Sequence, residues 1–322
     1  MIETVGTPGL WAGFIALVLA LLALDLGVFN RKDHVIQVRE AISWTLVWVA
    51  VSLAFNAWVW WEFGAVKGTE FLTGYLIEKS LSVDNLFVFI VVFATFRVPA
   101  HLQHRVLFWG IVTALVLRGL MIWGGTALLQ RFHALIYVFG AFLLLTGVKI
   151  MFHAEKEHHP EQGLAFRLLR RIVPATTRLD GHRFFVVEAG RRVATPLFLA
   201  LCLIEISDVV FALDSIPAIF GVTLDPFIVF TSNIFAILGL RSLYFAVAAW
   251  LGRFEYLKIG LSLVLVFIGV KMVGAHWYKV PTTVSLGVVV ALLGGATVFS
   301  LMKTRNAAAA EARAAAPVER ES

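Results

Sequence analysis

"EISDVVFALDSIPAIF", residues 205–220, reads as part of a membrane-spanning helix that carries three carboxylates, Glu205, Asp208 and Asp214. An acid at the bilayer centre costs about 2.5–3.5 kcal/mol on insertion scales, so each must be neutralised by a proton, a basic partner or a metal ion. The rest of the chain confirms the apolar setting. Of its 322 residues, 60% are hydrophobic and 15% charged, and the mean hydropathy is +0.86, far above an ordinary soluble domain. This composition specifies a polytopic, all-α membrane helix bundle. The lone cysteine, Cys202, lies in an apolar run and excludes both a disulfide framework and a Cys-based metal site.

Apolar segments near the roughly 20 residues needed to cross a bilayer place nine spans at 9–29, 40–61, 71–95, 105–125, 132–152, 195–219, 226–250, 257–275 and 281–302. The N-terminus has Glu3 where a signal peptide would be basic, and its apolar run continues through Asp25, so it is expected to remain as the first helix. With the N-terminus outside and the C-terminus cytoplasmic, nineteen Lys and Arg fall in cytoplasmic connections and only Lys67, Arg131 and Lys279 on the other face. The positive-inside rule supports that orientation and count in a bacterial-type plasma membrane. The same distribution explains the pI of 9.6 without nucleic acid. Clustered tryptophans such as Trp58, Trp60 and Trp61 read as interfacial anchors.

"SVDNLFVF" (82–89) resembles "FALDSIPAIF" (211–220), each centred on Asp and a small polar residue, Asp84-Asn85 and Asp214-Ser215, with Glu78 and Asp208 six residues earlier. "LRGLMIW" around Arg118 matches "LRSLYFA" around Arg241, and "TGVKIM" matches "IGVKMV", aligning Lys149 with Lys271. Three matches in one order imply a duplicated three-helix unit. An odd number of spans per copy makes the repeats inverted, an architecture in which transporters bind substrate near the midplane. The expected organisation is two N-terminal helices (1–67), a first repeat (68–152), a basic cytoplasmic loop (153–194), a second repeat (195–276), a last helix (277–305) and a low-complexity tail (306–322). Within the loop, "RFFVVEAGRRVATP" suggests a short hairpin.

The acids in the spans are Asp25, Glu78, Asp84, Glu205, Asp208 and Asp214, outnumbering the well-placed bases. One reading is purely structural, with salt bridges such as Asp84–Arg118 and Asp214–Arg241. Asp208 and Asp214 stand about 240° apart on an ideal helix, so convergence of all three acids of 205–220 requires a break, for which Pro217 supplies a cause. Oxygen donors without Cys, and without His among the midplane acids, suit a hard divalent cation such as Mn2+, Mg2+ or Ca2+. The same carboxylates could carry protons. His133, His153, His158 and His159 read as solvated loop residues rather than ligands.

"ALDLGVF" (23–29), "EKSLSVDNLFVF" (78–89) and "EISDVVFALDSIPAIFGVTLDPFIVFTSNIFAILGLRSLYF" (205–245) resemble the TerC/Alx family of integral membrane proteins. The resemblance runs over about 20–302 and implies manganese export, in a family named for tellurium resistance. It maps the family's acidic motif onto Glu78, Asp84, Glu205, Asp208 and Asp214 as metal residues; the other polar and charged residues of the spans, Asp25, Asn85, Arg118, Ser215, Asn233 and Arg241, read as supporting or charge-pairing residues. The carboxylates would repel a tellurite oxyanion, although the arginines could bind one. The expectation is therefore a non-enzymatic divalent-cation transporter, with Mn2+ as cargo and no permanently bound cofactor. Its partners would be the metal ion, the lipid bilayer and proteins docking on the 153–194 loop. The rivals are a metal-stress scaffold acting through that loop and an intramembrane aspartyl protease, whose Gly-x-Gly-Asp context is missing.

Overall fold

Gly64 decides how the longest helix is used. It stands at φ 86°, ψ 174° inside α2 (Val38–Thr95), a backbone region open in practice to glycine alone. The limbs 38–63 and 65–95 fold back on each other there. The rings of Phe55 and Phe71 meet at 5.4 Å, whereas sixteen residues of straight helix would separate them by about 24 Å. A single 58-residue helix thus supplies two of the expected spans.

The computed structural model describes the chain except for residues 1–3, 30–36, 133, 153–172, 189, 248–256, 275–276, 279 and 315–322. Besides α2, the described residues form α1 (Pro8–Phe29), α3 (Ala100–Arg131), α4 (Leu135–Phe152), α5 (Pro196–Phe220), α6 (Pro226–Leu238), α7 (Leu240–Val247), α8 (Leu257–Val273) and α9 (Thr282–Ala314). Six are long and apolar enough to cross a membrane, and Leu135–Lys149 and Ile259–Val273 are shorter apolar helices. Each expected span coincides with a helix, a limb of α2, or the α6–α7 pair. β1 (Phe185–Glu188) and β2 (Arg191–Ala194) make the expected hairpin, with Gly190 at φ 77° in its turn. Of the expected cytoplasmic loop, 153–172, including His153, His158 and His159, lies outside the described residues, as does His133.

The second limb of α2 packs against α5, α6 and α7, α3 packs against α5 and α6, and α4 packs against α8. Glycines bring α4 and α8 into backbone contact. A Cβ on Gly147 would meet the Ser262 carbonyl oxygen at 2.8 Å, and one on Gly269 would meet the Gly140 carbonyl oxygen and the Leu144 nitrogen at 2.7 Å. Residue 140 thus lies beside 269, and 147 beside 262, so the helices cross antiparallel. The main core joins Phe71, Leu86, Val106, Leu197, Ile228 and Phe235. α1 rests on it through Phe14, whose ring contacts Phe55, Phe227, Phe230 and Phe235, and is pinned to α7 by Arg241 Nη2 donating to Asp25 Oδ1 at 2.6 Å.

One expectation about α5 is corrected. The helix is unbroken from Pro196 to Phe220, and Pro217 sits in its last turn, where a missing amide donor leaves few bonds beyond it to disturb. The break falls instead between α6 and α7, at Gly239. There the Ala236 carbonyl accepts a hydrogen bond from Lys79 Nζ at 3.1 Å, so the interruption does not strand that buried acceptor.

Gly269→Val should destabilise the bundle by roughly 1–3 kcal/mol through overpacking. Gly287, with no atom within 4 Å of a built Cβ, should accept alanine with little change. Thermal unfolding in lipid nanodiscs checks the contrast, and equal losses would contradict the close α4–α8 crossing. Asp25→Ala should cost about 3–5 kcal/mol by removing one member of a buried ion pair, and Arg241→Met should be less costly in that background than in the wild type. A strictly additive double mutant in the same measurement would show that the pair is not coupled.

Candidate metal centre

Arg118 lies in the interior third of α3, and its buried guanidinium is reached by three other helices. Its Nε and Nη2 donate to the two oxygens of Asp208 at 3.1 and 2.7 Å, a bidentate pairing with α5. Its Nη1 donates to Glu78 Oε1 on α2 and to Asn233 Oδ1 on α6 at 3.2 Å. Asn233 Nδ2 then donates to the other Glu78 oxygen at 3.1 Å, and Asn85 Nδ2 donates to Asp208 Oδ1 at 3.3 Å. A planar fork of fixed donors suits this arrangement in a way a lysine ammonium would not.

Arg118 pairs with Glu78 and Asp208, and Arg241 pairs with Asp25 rather than Asp214; the expected Asp84–Arg118 pair falls on a side chain outside the described residues. Because α5 is unbroken, its acids diverge. Glu205 and Asp208 share one face, whereas Asp214 is directed to α4, towards Thr146 and Lys149. Full convergence of Glu205, Asp208 and Asp214 is therefore not found, and the described residues hold no cluster of three or more His, Cys, Asp or Glu side chains placed to bind a metal ion. Asp84 lies on α2, but its side chain is outside the described residues.

Two cavities flank the Arg118 network. The first is lined by Glu78, Asn85, Arg118, Asp214 and Ser215, with Leu265 of α8 among its apolar walls. The second is lined by Glu205, Asp208, Arg241, Gly110 and Ile237. Along α5 they follow one another: residues 211–215 face the first and 204–208 the second. Asn85 Oδ1 and Ser215 Oγ at the first cavity, and both Glu205 carboxylate oxygens at the second, are buried with no hydrogen-bond partner among the described residues. Buried oxygens without donors are uncommon in folded proteins and signal a water, an ion or a functional role.

One expected base takes an unexpected partner, and one group was missed from the sequence. Lys79 is consumed by the α6 carbonyl rather than by an acid. Asp225 caps α6, accepting from Phe227 N at 3.1 Å, and gathers Lys67 at 3.2 Å and Thr4 at 2.8 Å. Asp225 directly before Pro226 is an N-cap signal visible in the sequence. Nothing there shows that Lys67, far away in the chain, would join it.

A family model described as "Integral membrane protein TerC family" matches residues 63–308. The chain is 60% identical to an uncharacterized membrane protein, STKORF319, of Myxococcus xanthus, over 97% of this chain and 98% of that one. It is 50% identical to the protein of Escherichia coli (strain K12) named "Putative membrane-bound redox modulator Alx", over 90% and 94% of the two chains. It is 41% identical to an uncharacterized membrane protein of Rickettsia bellii, over 88% and 94%. No solved structure matches. Carboxylates held inside a multi-pass helical bundle, and similarity spanning nearly the whole chain, place this protein in the TerC family of integral membrane proteins.

Proposed function

We propose that the protein is a divalent-cation transporter, not an enzyme, that moves Mn2+ out of the cytoplasm across a bacterial-type plasma membrane, with its N-terminus outside. The observation that carries this reading is the set of buried oxygens without hydrogen-bond donors, Asn85 Oδ1, Ser215 Oγ and the Glu205 carboxylate. They lie beside Glu78 and Asp208 and offer only oxygen, as hard cations prefer. Charge points the same way. Glu78, Asp208 and Glu205 have Arg118 between them, and Arg241, which lines the same cavity as Glu205, is already balanced by Asp25. This leaves net negative charge for a cation or proton to neutralise. Asp214 and Asp84 extend the set of candidate ligands.

The inverted repeat belongs to this reading. Under the alignment, Asn85 corresponds to Ser215, and the two unpartnered oxygens line one cavity. Gly147 against Ser262 and Val266 is the counterpart of Gly269 against Gly140 and Leu144, the reciprocity expected of a two-fold relation. Transporters so built bind their substrate where the repeats meet. A redox role like the one in the name of the E. coli relative would act through the transported ion or a partner, because one cysteine cannot form an intramolecular disulfide.

In proteoliposomes with an imposed pH gradient, the wild type should carry Mn2+. Glu78→Gln and Asp208→Asn should each abolish flux, and Asn85→Leu and Ser215→Ala should weaken Mn2+ binding by about 10–100-fold, the range typical of residues that support a metal site. Mn2+ flux equal in the wild type and the Glu78→Gln and Asp208→Asn variants would sink the proposal.

A further inference from the structure

Arg118 occupies the position that a cation bound between Glu78 and Asp208 would take. We propose that it is a tethered competitor for the transported ion: the guanidinium neutralises the two carboxylates in the empty transporter and swings to Glu205 when the ion replaces it. The inference rests on the cation-transport reading and assigns the exchange step at its site.

Four observations support it. Asp208 is taken bidentately and Glu78 through Nη1, so the donors of the fork consume lone pairs that a metal would need. Arg118 and Glu78 line the first cavity and Asp208 the second, so the ion pairs join the walls of the two open spaces. Glu205 lies one helical turn from Asp208 on the same face of α5, within electrostatic reach of Arg118, and both its oxygens are buried without a partner. It is therefore a vacant receptor for a displaced guanidinium. Asn233 accepts from Arg118 and donates to Glu78, so it can hold the carboxylate in place while the arginine moves.

The charge count shows why exchange is preferred to simple addition. With Arg118 in place, Glu78 and Asp208 present a net charge of −1 to an arriving divalent cation, and occupancy by both would leave a local +1 there, separated from an unpaired −1 on Glu205. With the guanidinium moved to Glu205, the ion sees −2 and the displaced charge is again paired. Isolated charge in such an environment is costly, so the ion and the arginine take turns. A guanidinium keeps its proton in proteins, so release of the ion by Arg118 needs no proton at that residue.

The test is equilibrium Mn2+ binding by the full-length purified protein in lipid nanodiscs, with free Mn2+ read by electron paramagnetic resonance, beside flux in proteoliposomes. Arg118→Met should tighten Mn2+ binding at least tenfold and slow turnover, because the competitor that expels the ion is gone. Arg118→Lys keeps the charge but loses the bidentate fork, and should tighten binding by a smaller factor. It also serves as the working variant if Arg118→Met does not fold. Glu205→Gln should weaken binding several-fold in the wild type and much less in the Arg118→Met or Arg118→Lys background. Unchanged or weaker binding in the position-118 variants, or a Glu205→Gln effect independent of residue 118, overturns the competitor role while leaving cation transport standing. Absence of Mn2+ binding and flux in the wild type overturns both.

Discussion

Burying a guanidinium in a membrane bundle is permissible only when nearly all its donors are satisfied by fixed acceptors, because the surrounding medium offers none. Arg118 meets this condition by recruiting Glu78 from α2, Asp208 from α5 and Asn233 from α6. Those helices come from both halves of the chain, so one charge network fixes their mutual rotation and depth. The apolar core could be satisfied by several rotations of a helix, since lipid competes with protein for its side chains. The Arg118 network could not, because a one-residue rotation of α5 would turn Asp208 away by about 100°.

The course of α5 follows from that anchor. With Asp208 held by Arg118, an unbroken helix sends Glu205 to the same side and Asp214 towards Thr146 of α4. The acids are thereby distributed along a path rather than gathered at a point. Ion-pair energy and cavity geometry are linked in this way: the interactions that stabilise the bundle also join the walls of its two cavities. Lys79 plays a quieter part at the α6–α7 junction, where its ammonium supplies the hydrogen bond to Ala236 that a continuous helix would have provided.

Hydropathy made the spans legible because lipid imposes a length and an apolar content on each crossing. Even the α2 turn fell between two expected spans, although only the backbone shows that Gly64 alone makes it. The side chains of the site were legible as a set, since buried acids and asparagines are conspicuous in apolar runs. Their pairing was not. Sequence alignment set Arg241 beside Asp214, whereas rotation about the helix axes gives Arg241 to Asp25 and brings Glu78 and Asp208 together on Arg118. Pro217 misled for a related reason: a proline's effect depends on how much helix follows it, and here only a single turn remains.

Under the proposed inverted repeat, the two aligned arginines are held by different acids. Arg118 is shared between acids of different copies, Glu78 and Asp208, which correspond to each other in the alignment. A strictly symmetric partner would draw Arg241 to the same acids and close them to any other cation, with two guanidiniums facing two carboxylates. Arg241 is instead held by Asp25 of α1, a helix outside both copies. That pairing balances its charge, while both Glu205 oxygens in the same cavity have no hydrogen-bond partner among the described residues. α1 therefore has an electrostatic consequence as well as a packing one: its Asp25 balances the buried charge of Arg241 at the second cavity.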